Sequence, residues 1–317
     1  MTSNLSVRRQ WPAGVQPTFA DLPDGWRVRV FDQSFEAGLP KGSLLVLGGR
    51  GDIHEKYLEN FAHWHAQGWN VMSFDWRGQG GSGRVLPSEN TGHIEDFSAW
   101  IDDLATLYAD WKSRTPGPHI VLGHSMGGHL LLRALAEKRI CADAAILVSP
   151  MLGFATGPVP ISASAWLVKM AAKLGQSKRA AWKGNERPAA PWVSRQKFLT
   201  HDNARFDDEL YWKAQQPDLA LGPPTINWLI QAHLSCLKLA NPGVPEGVSM
   251  PVLIIGTDND KLVNPLSIRT IARRIPSATL HMFGKEAAHE ILRESDAVRS
   301  VALAEIDTFL DKLSLAG

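Results

Sequence analysis

The chain has 317 residues, 44% of them hydrophobic and 21% charged, with a formal net charge of +1. That is enough chain for one large core with an inserted subdomain, and the near-neutral balance offers no global argument for nucleic-acid binding. No run of about 18 apolar residues exists, so no membrane span is expected, and the polar stretch from Met1 to Gly14 lacks the apolar core of a secretory signal.

In chain order, residues 1–26 are polar and dotted with Pro12, Pro17 and Pro23, and read as a loose arm. Trp26 to Phe35 alternates as a strand does, with Val28, Val30 and Phe35 set against Arg27, Arg29 and Asp32. Ser43 to Leu47 is a continuous aliphatic run, as expected of a strand covered on both faces, and Asn70 to Phe74 reads as the next buried strand. Between them, Glu55 to Gln67 is helical by the spacing of Tyr57, Phe61 and Trp64. A glycine-rich loop, Asp75 to Gly83, precedes a helix from Ile94 to Trp111. Asp75 and Arg77 are expected to pin that loop through hydrogen bonds. His119 to Leu122 and Ala144 to Val148 are further buried strands.

From 151 to 240 the strand rhythm stops. Helical pieces remain (Ala163 to Leu174, Arg205 to Ala214, Thr225 to Ala240), separated by Pro, Gly and Trp. After Pro242-Gly243 it resumes with a strand at Val252 to Ile255, a helix at Pro265 to Arg274, a strand at Ala278 to Phe283 and a final amphipathic helix from Asp296 to Leu313. Strand–helix alternation on both sides of a helical insert implies α/β architecture, a mostly parallel sheet with a lid. The implied units are core at 1–150, lid at 151–240 and core again at 241–317. Cys141 and Cys236 both sit in apolar surroundings and read as buried thiols of a reducing, cytoplasmic compartment.

The chemistry concentrates at Gly123-His124-Ser125-Met126-Gly127-Gly128. An aliphatic strand ends there and an apolar run at helical spacing begins (Met126, Leu130, Leu131, Ala134, Leu135), so Ser125 stands at the apex of a strand–turn–helix. Gly-x-Ser-x-Gly alone is a weak motif; its flanks strengthen it. A serine hydroxyl needs a base, and the base needs a carboxylate. Both belong at the C-terminal ends of strands in an open parallel sheet. The strand at 252–255 runs into Gly256-Thr257-Asp258-Asn259-Asp260, and the strand ending at Phe283 runs into Gly284-Lys285-Glu286-Ala287-Ala288-His289. Gly78, Gly80 and Gly83 nearly spell a dinucleotide fingerprint, but no helix starts there. His63 and His65 lie two apart on a helix and face different ways. Neither a cofactor nor a metal is expected.

These residues resemble the monoacylglycerol lipase and lysophospholipase branch of the α/β-hydrolase fold, bacterial lysophospholipases above all. The likeness rests on Gly49-Arg50-Gly51 with Glu55-Lys56-Tyr57, on Phe74-Asp75-Trp76-Arg77-Gly78-Gln79-Gly80-Gly81-Ser82-Gly83, on Gly123 to Gly128, and on Ala288-His289-Glu290-Ile291-Leu292. Leu199-Thr200-His201 and Gly222-Pro223-Pro224-Thr225 add to it. The resemblance implies a three-layer fold with a helical cap, Ser125 as nucleophile, His289 as base and Asp260 as the acid; Asp258 is the rival. It implies an oxyanion hole from the backbone N–H groups of Met126 and, by matching Tyr57, Arg50. The family's usual His-Gly is Gly48-Gly49 here.

The implied substrate is a lysophospholipid or monoacylglycerol ester, cleaved through an acyl-enzyme. An esterase for small soluble esters and a catalytically inactive binding module are the alternatives. Trp212 and Trp228 on lid helices are candidates for the acyl pocket, with simple packing as the other reading. Between Met151 and Thr200 the single acid is Glu186. The bases are Lys169, Lys173, Lys178, Arg179, Lys183, Arg187, Arg195 and Lys197, interleaved with Trp166, Trp182 and Trp192. That pattern suits peripheral contact with an anionic lipid surface, here the inner face of the membrane, or a solvated face over packed tryptophans.

Overall fold

The computed structural model describes residues 5–86, 90–155, 177–182 and 193–314. Its frame is an eight-stranded sheet built from β1 (Thr18–Asp21), β2 (Arg27–Gln33), β3 (Gly42–Leu47), β4 (Trp69–Phe74), β5 (His119–His124), β6 (Ala144–Val148), β7 (Val252–Thr257) and β8 (Ala278–Phe283), in the order β1-β2-β4-β3-β5-β6-β7-β8. β2 runs antiparallel to both β1 and β4, with Val30 opposite Phe74. From β4 onward every pairing is parallel.

Alternation along the buried strands sorts the core into two layers. Leu44, Val46, Ile120, Leu122 and Ile146 face one side, against Phe61 and Trp64 of α2 (Leu58–Ala66) and Ala302, Ile306 and Leu310 of the final helix, Asp296–Ser314. Leu45, Leu47, Val121, Leu147 and Ile254 face the other, against Ile101 and Leu104 of α3 (Ser98–Arg114), Leu130, Leu131 and Ala134 of α4 (Met126–Ala136), and Ile268 and Ile271 of the helix Pro265–Ala272. Helices on both faces explain why β3 to β7 are mostly apolar and buried along their whole length. Between β6 and β7 the described residues add no strand to the sheet. They form α5 (Val193–Leu199), α6 (Asn203–Gln215) and α7 (Ile226–Ala240). Asp202 caps α6 by accepting from the Arg205 N–H, and Thr225 caps α7 by accepting from the Trp228 N–H.

Several expectations need correction. Of the stretch 1–26 expected to be a loose arm, the described residues 5–26 are not one: α1 (Leu5–Arg9) is tied by Arg8 and Arg9 to Asp208, Trp11 stacks on Phe31, and residues 18–21 form the edge strand β1. Too few apolar residues line this stretch for periodicity to show it; charge pairing and one tryptophan hold it. The helix expected from Ile94 begins at Ser98; Ile94 and Phe97 are buried in the turn before it. Cys236 is buried as expected, but Cys141 is exposed, because it sits in the connection before β6 rather than in the strand. The helix expected at 163–174, and Trp166, Trp192, Lys169, Lys173, Lys183, Glu186 and Arg187, lie outside the described residues.

Candidate active site

Ser125 sits between β5 and α4 with φ 51° and ψ −115°, a left-handed backbone that side-chain-bearing residues rarely adopt. The turn closes because its neighbours carry no side chain. A Cβ on Gly123 would meet the backbone of Gly127 and Gly128, and one on Gly127 would run into the carbonyls of Leu47 and Gly48. That close approach lifts the half-buried Ser125 hydroxyl clear of the sheet, at the N-terminal end of α4, where the helix dipole favours developing negative charge.

The two loops that follow β7 and β8 meet this hydroxyl. His289 Nε2 is 2.9 Å from Ser125 Oγ, and His289 Nδ1 is 2.7 Å from Asp260 Oδ2. The other carboxylate oxygen of Asp260 accepts the N–H groups of Leu262 and Val263, at 2.8 and 3.0 Å. Burial raises the pKa of Asp260, but the neighbouring imidazole and those N–H groups outweigh it and hold the carboxyl below its ordinary value. Burial likewise works against a charged His289, and the Asp260 carboxylate overcomes it, so the imidazole pKa lies above its ordinary value. Asp258 is not at the site: it points outward and pairs with Arg269 at 2.5 Å.

The loop after β3 lies beside Ser125. Its Gly49 N–H donates to Asp52 Oδ2 at 2.6 Å, and its Gly51 N–H donates to Gln79 Oε1 at 2.7 Å. Arg50 lies between these two anchored amides, and both Arg50 and Met126 line the cavity over Ser125. The Arg50 guanidinium reaches away to the Gly222 carbonyl and stacks over the Trp228 ring. The glycine-rich loop expected to be pinned by Asp75 and Arg77 is held that way. Asp75 accepts the Gly81 N–H at 2.7 Å and pairs with Arg29, while Arg77 bridges Asp103 and Asp24. Through Gln79 this loop reaches the Gly51 amide of the loop after β3.

The cavity holds about 390 Å³. Its lining includes the apolar side chains of Met151, Phe154, Phe198, Trp228, Leu229 and Val263. It also includes a charged cluster of Asp52, Lys56, Glu209 and Glu290. Lys56 Nζ contacts Glu290 at 2.8 Å, Glu209 at 3.0 Å and Asp52, and Arg293 pairs with both glutamates. Burial alone would raise the pKa of Glu290, yet Lys56 and Arg293 outweigh it and hold the carboxyl below its ordinary value. Asp52 also accepts from the Tyr57 hydroxyl at 2.6 Å and lies 3.1 Å from His124 Nδ1. Of the two tryptophans expected in the acyl pocket, Trp228 lines the cavity. Trp212 does not: it packs against Trp11 and donates from Nε1 to the Arg8 carbonyl. An α-helical face meeting an N-terminal segment that seemed loose cannot be read from spacing. The sequence also did not single out Glu209 as part of the site; it sits on an ordinary polar face of α6 and only the packing of that helix turns it inward.

Among the described residues no group of three His, Cys, Asp or Glu side chains is arranged to hold a metal, and no helix is long and apolar enough to cross a membrane. A mostly parallel, helix-covered sheet with a serine at a strained strand–helix elbow defines an α/β-hydrolase, a serine hydrolase. Residues 38–296 match the family described as serine aminopeptidase, S33, and the chain belongs to that family. Lysophospholipase L2 of Escherichia coli is 29% identical over 283 residues, covering 85% of this chain and 80% of that protein. Monoacylglycerol lipase of Mycolicibacterium smegmatis is 26% identical over 246 residues, covering 77% and 79%. In fold, a soluble variant of monoglyceride lipase from Saccharomyces cerevisiae, solved with a substrate analog, superposes with a TM-score of 0.75 at 18% identity, covering 96% of this chain and 98% of its own.

Proposed function

We propose that this protein is a serine ester hydrolase that releases the acyl chain of a monoacyl lipid, a lysophospholipid or a monoacylglycerol, through an acyl-enzyme. The observation that carries the reading is the position of His289, in hydrogen-bond reach of Ser125 on one side and Asp260 on the other, in the lining of a cavity that carries both apolar side chains and a charged cluster. Ser125 Oγ attacks the ester carbonyl as His289 Nε2 takes its proton. Asp260 holds the imidazole in the tautomer that leaves Nε2 free to accept. Backbone N–H groups of Arg50 and Met126 stabilise the oxyanion; a donor of this kind is worth about 3 kcal/mol in the transition state. His289 then protonates the leaving alcohol and activates the water that clears the acyl-enzyme.

The apolar lining residues, Trp228 among them, suit a single acyl chain, and the charged cluster suits the glycerol-containing leaving group. In this reading residues 151–240 form the cap, carried by a core made of 1–150 and 241–317. The named activities of the Escherichia coli and Mycolicibacterium smegmatis relatives support the substrate class. Contact with an anionic membrane surface through the cap is part of the proposal. Its described basic members are Lys178, Arg179 and Lys197, beside Trp182 at the cavity. The experiment is hydrolysis of a lysophospholipid, a monoacylglycerol and a short soluble ester of nitrophenol, with fluorophosphonate labelling alongside. Release of fatty acid from a monoacyl lipid with labelling lost in Ser125→Ala is expected; cleavage of the short ester alone would reduce the reading to an esterase, and no labelling would leave a binding module. Co-sedimentation with vesicles, with and without anionic lipid, tests the membrane contact; equal and salt-insensitive binding would remove it.

A further inference from the structure

Three consecutive backbone amides carry the His289 side chain; one is held by Glu294, further along the same connection, and two are held by the helical insert. The Ala288 N–H donates to Glu294 Oε1 at 2.8 Å. The His289 N–H donates to the Phe198 carbonyl at 3.3 Å, and the Glu290 N–H to the Leu199 carbonyl at 2.7 Å. Phe198 and Leu199 end α5, in the helical insert. The next insert residues continue the seam. Thr200 Oγ1 donates to the Arg293 carbonyl at 2.7 Å, and His201 reaches Glu294 twice, through its N–H at 3.1 Å and its Nδ1 at 2.9 Å. Glu294 is wholly buried and also accepts the Ser295 N–H. Arg205 closes the far end on the Glu294 carbonyl.

We propose that Glu294, with Leu199-Thr200-His201, is the mount of the catalytic base, and that Glu294 is a positioning residue for the reaction although it touches neither Ser125 nor the cavity. The carboxylate gathers donors from both sides of the seam, so it fixes the insert and the His289 loop against each other. The inference rests on the reading of His289 as the base. Its chemical content is geometric. Proton transfer between Ser125 and His289 works over a hydrogen bond, and a misplacement of about 1 Å can cost roughly a hundredfold in rate. The insert is then part of the catalytic machinery rather than a removable cover. A cap movement that admits substrate leaves residues 198–205 in place.

The test compares Glu294→Ala, Glu294→Gln and His289→Ala on a nitrophenyl acetate, which needs no acyl pocket. Glu294→Ala is expected to lower kcat by about 10- to 100-fold with KM within about twofold, and to shift or abolish the downfield proton signal of the His289–Asp260 hydrogen bond. Glu294→Gln keeps an acceptor oxygen for the Ala288 N–H and should recover most of that loss. Thr200→Val, rescued by Thr200→Ser, provides the same comparison where Glu294→Ala does not fold. A folded Glu294→Ala with unchanged kcat and an unchanged downfield signal, beside an inactive His289→Ala, overturns the mount alone. Equal losses in Glu294→Ala and Glu294→Gln that follow only a lowered Tm also overturn it. Wild-type turnover by His289→Ala overturns the reading of the base, and the mount with it.

Discussion

Asp260 meets His289 with one oxygen and the backbone of its own loop with the other, so its carboxylate cannot rotate away without losing two further hydrogen bonds. Asp260→Asn keeps the shape but offers His289 an amide, which stabilises the wrong tautomer; a loss of about 10⁴ in kcat is expected. Asp258→Asn, on the surface with Arg269, should leave kcat unchanged. Steady-state kinetics on a soluble ester separates the two, and the reverse ranking would reassign the acid.

Ser125→Ala and His289→Ala should each lower kcat by about a million-fold, and the double variant should fall no further, since the two act as a unit. Burst and steady-state measurements on a nitrophenyl ester check this. Additive losses would mean that the pair does not share a step.

The pH dependence follows from the raised pKa of His289. The base must be neutral to act, so kcat/KM should fall on the acid side with an apparent pKa above the ordinary imidazole value of about 6.5. Asp260→Asn removes the charge that raises it and should move this limb to lower pH. For stability the sign is opposite. The charged His289–Asp260 pair stabilises the fold below the unfolded imidazole pKa, and that contribution fades as pH rises through the folded one. A plot of kcat/KM against pH, with Tm over the same range, checks both slopes.

Lys56 is the cation shared by Asp52, Glu209 and Glu290 in the cavity lining. Lys56→Met leaves buried carboxylates short of a partner, and removing one member of such a cluster costs about 3–5 kcal/mol. Urea denaturation should show a loss of that size. A neutral effect would mean that water reaches the cluster freely.

Trp212 and Trp228 should respond differently. Trp212→Ala empties a packed site next to Trp11 and should cost about 3–5 kcal/mol of stability without changing acyl-chain preference. Trp228→Ala widens the cavity wall and should shift the preferred chain length. A chain-length series of esters, paired with thermal melts, distinguishes the two roles.

Much of this was legible because buried parallel strands and a nucleophile elbow leave local marks. The aliphatic runs at Ser43–Leu47 and Ala144–Val148 located the sheet, and Gly123 and Gly127 marked a turn where bulk is excluded. Where an open sheet presents its loops pointed to the segments after β7 and β8; the choice of Asp260 over Asp258, and of His289, rested on the family resemblance. Charge pairing between distant segments left no such mark. Arg8 and Arg9 bind Asp208 across some two hundred positions, Glu209 enters the cavity from a helix whose spacing is ordinary, and Glu294 lies past the motif in a stretch with no apolar rhythm. These depend on how the insert settles on the core, which periodicity does not encode. Trp212 takes the packing role that was its other reading, and its partner Trp11 could not be foreseen because it lies in a segment without periodicity.

The left-handed twist at Ser125 carries a thermodynamic consequence. Such a backbone is uphill by about 1–3 kcal/mol for a residue with a side chain, while glycine adopts it freely. Ser125→Gly should therefore melt at a higher temperature than the active enzyme even after glycine's greater unfolded-state entropy is counted. Heat resistance gained by erasing the reactive group would show that the elbow is held under tension by the rest of the molecule, and that reactivity and robustness trade against each other at a single α-carbon.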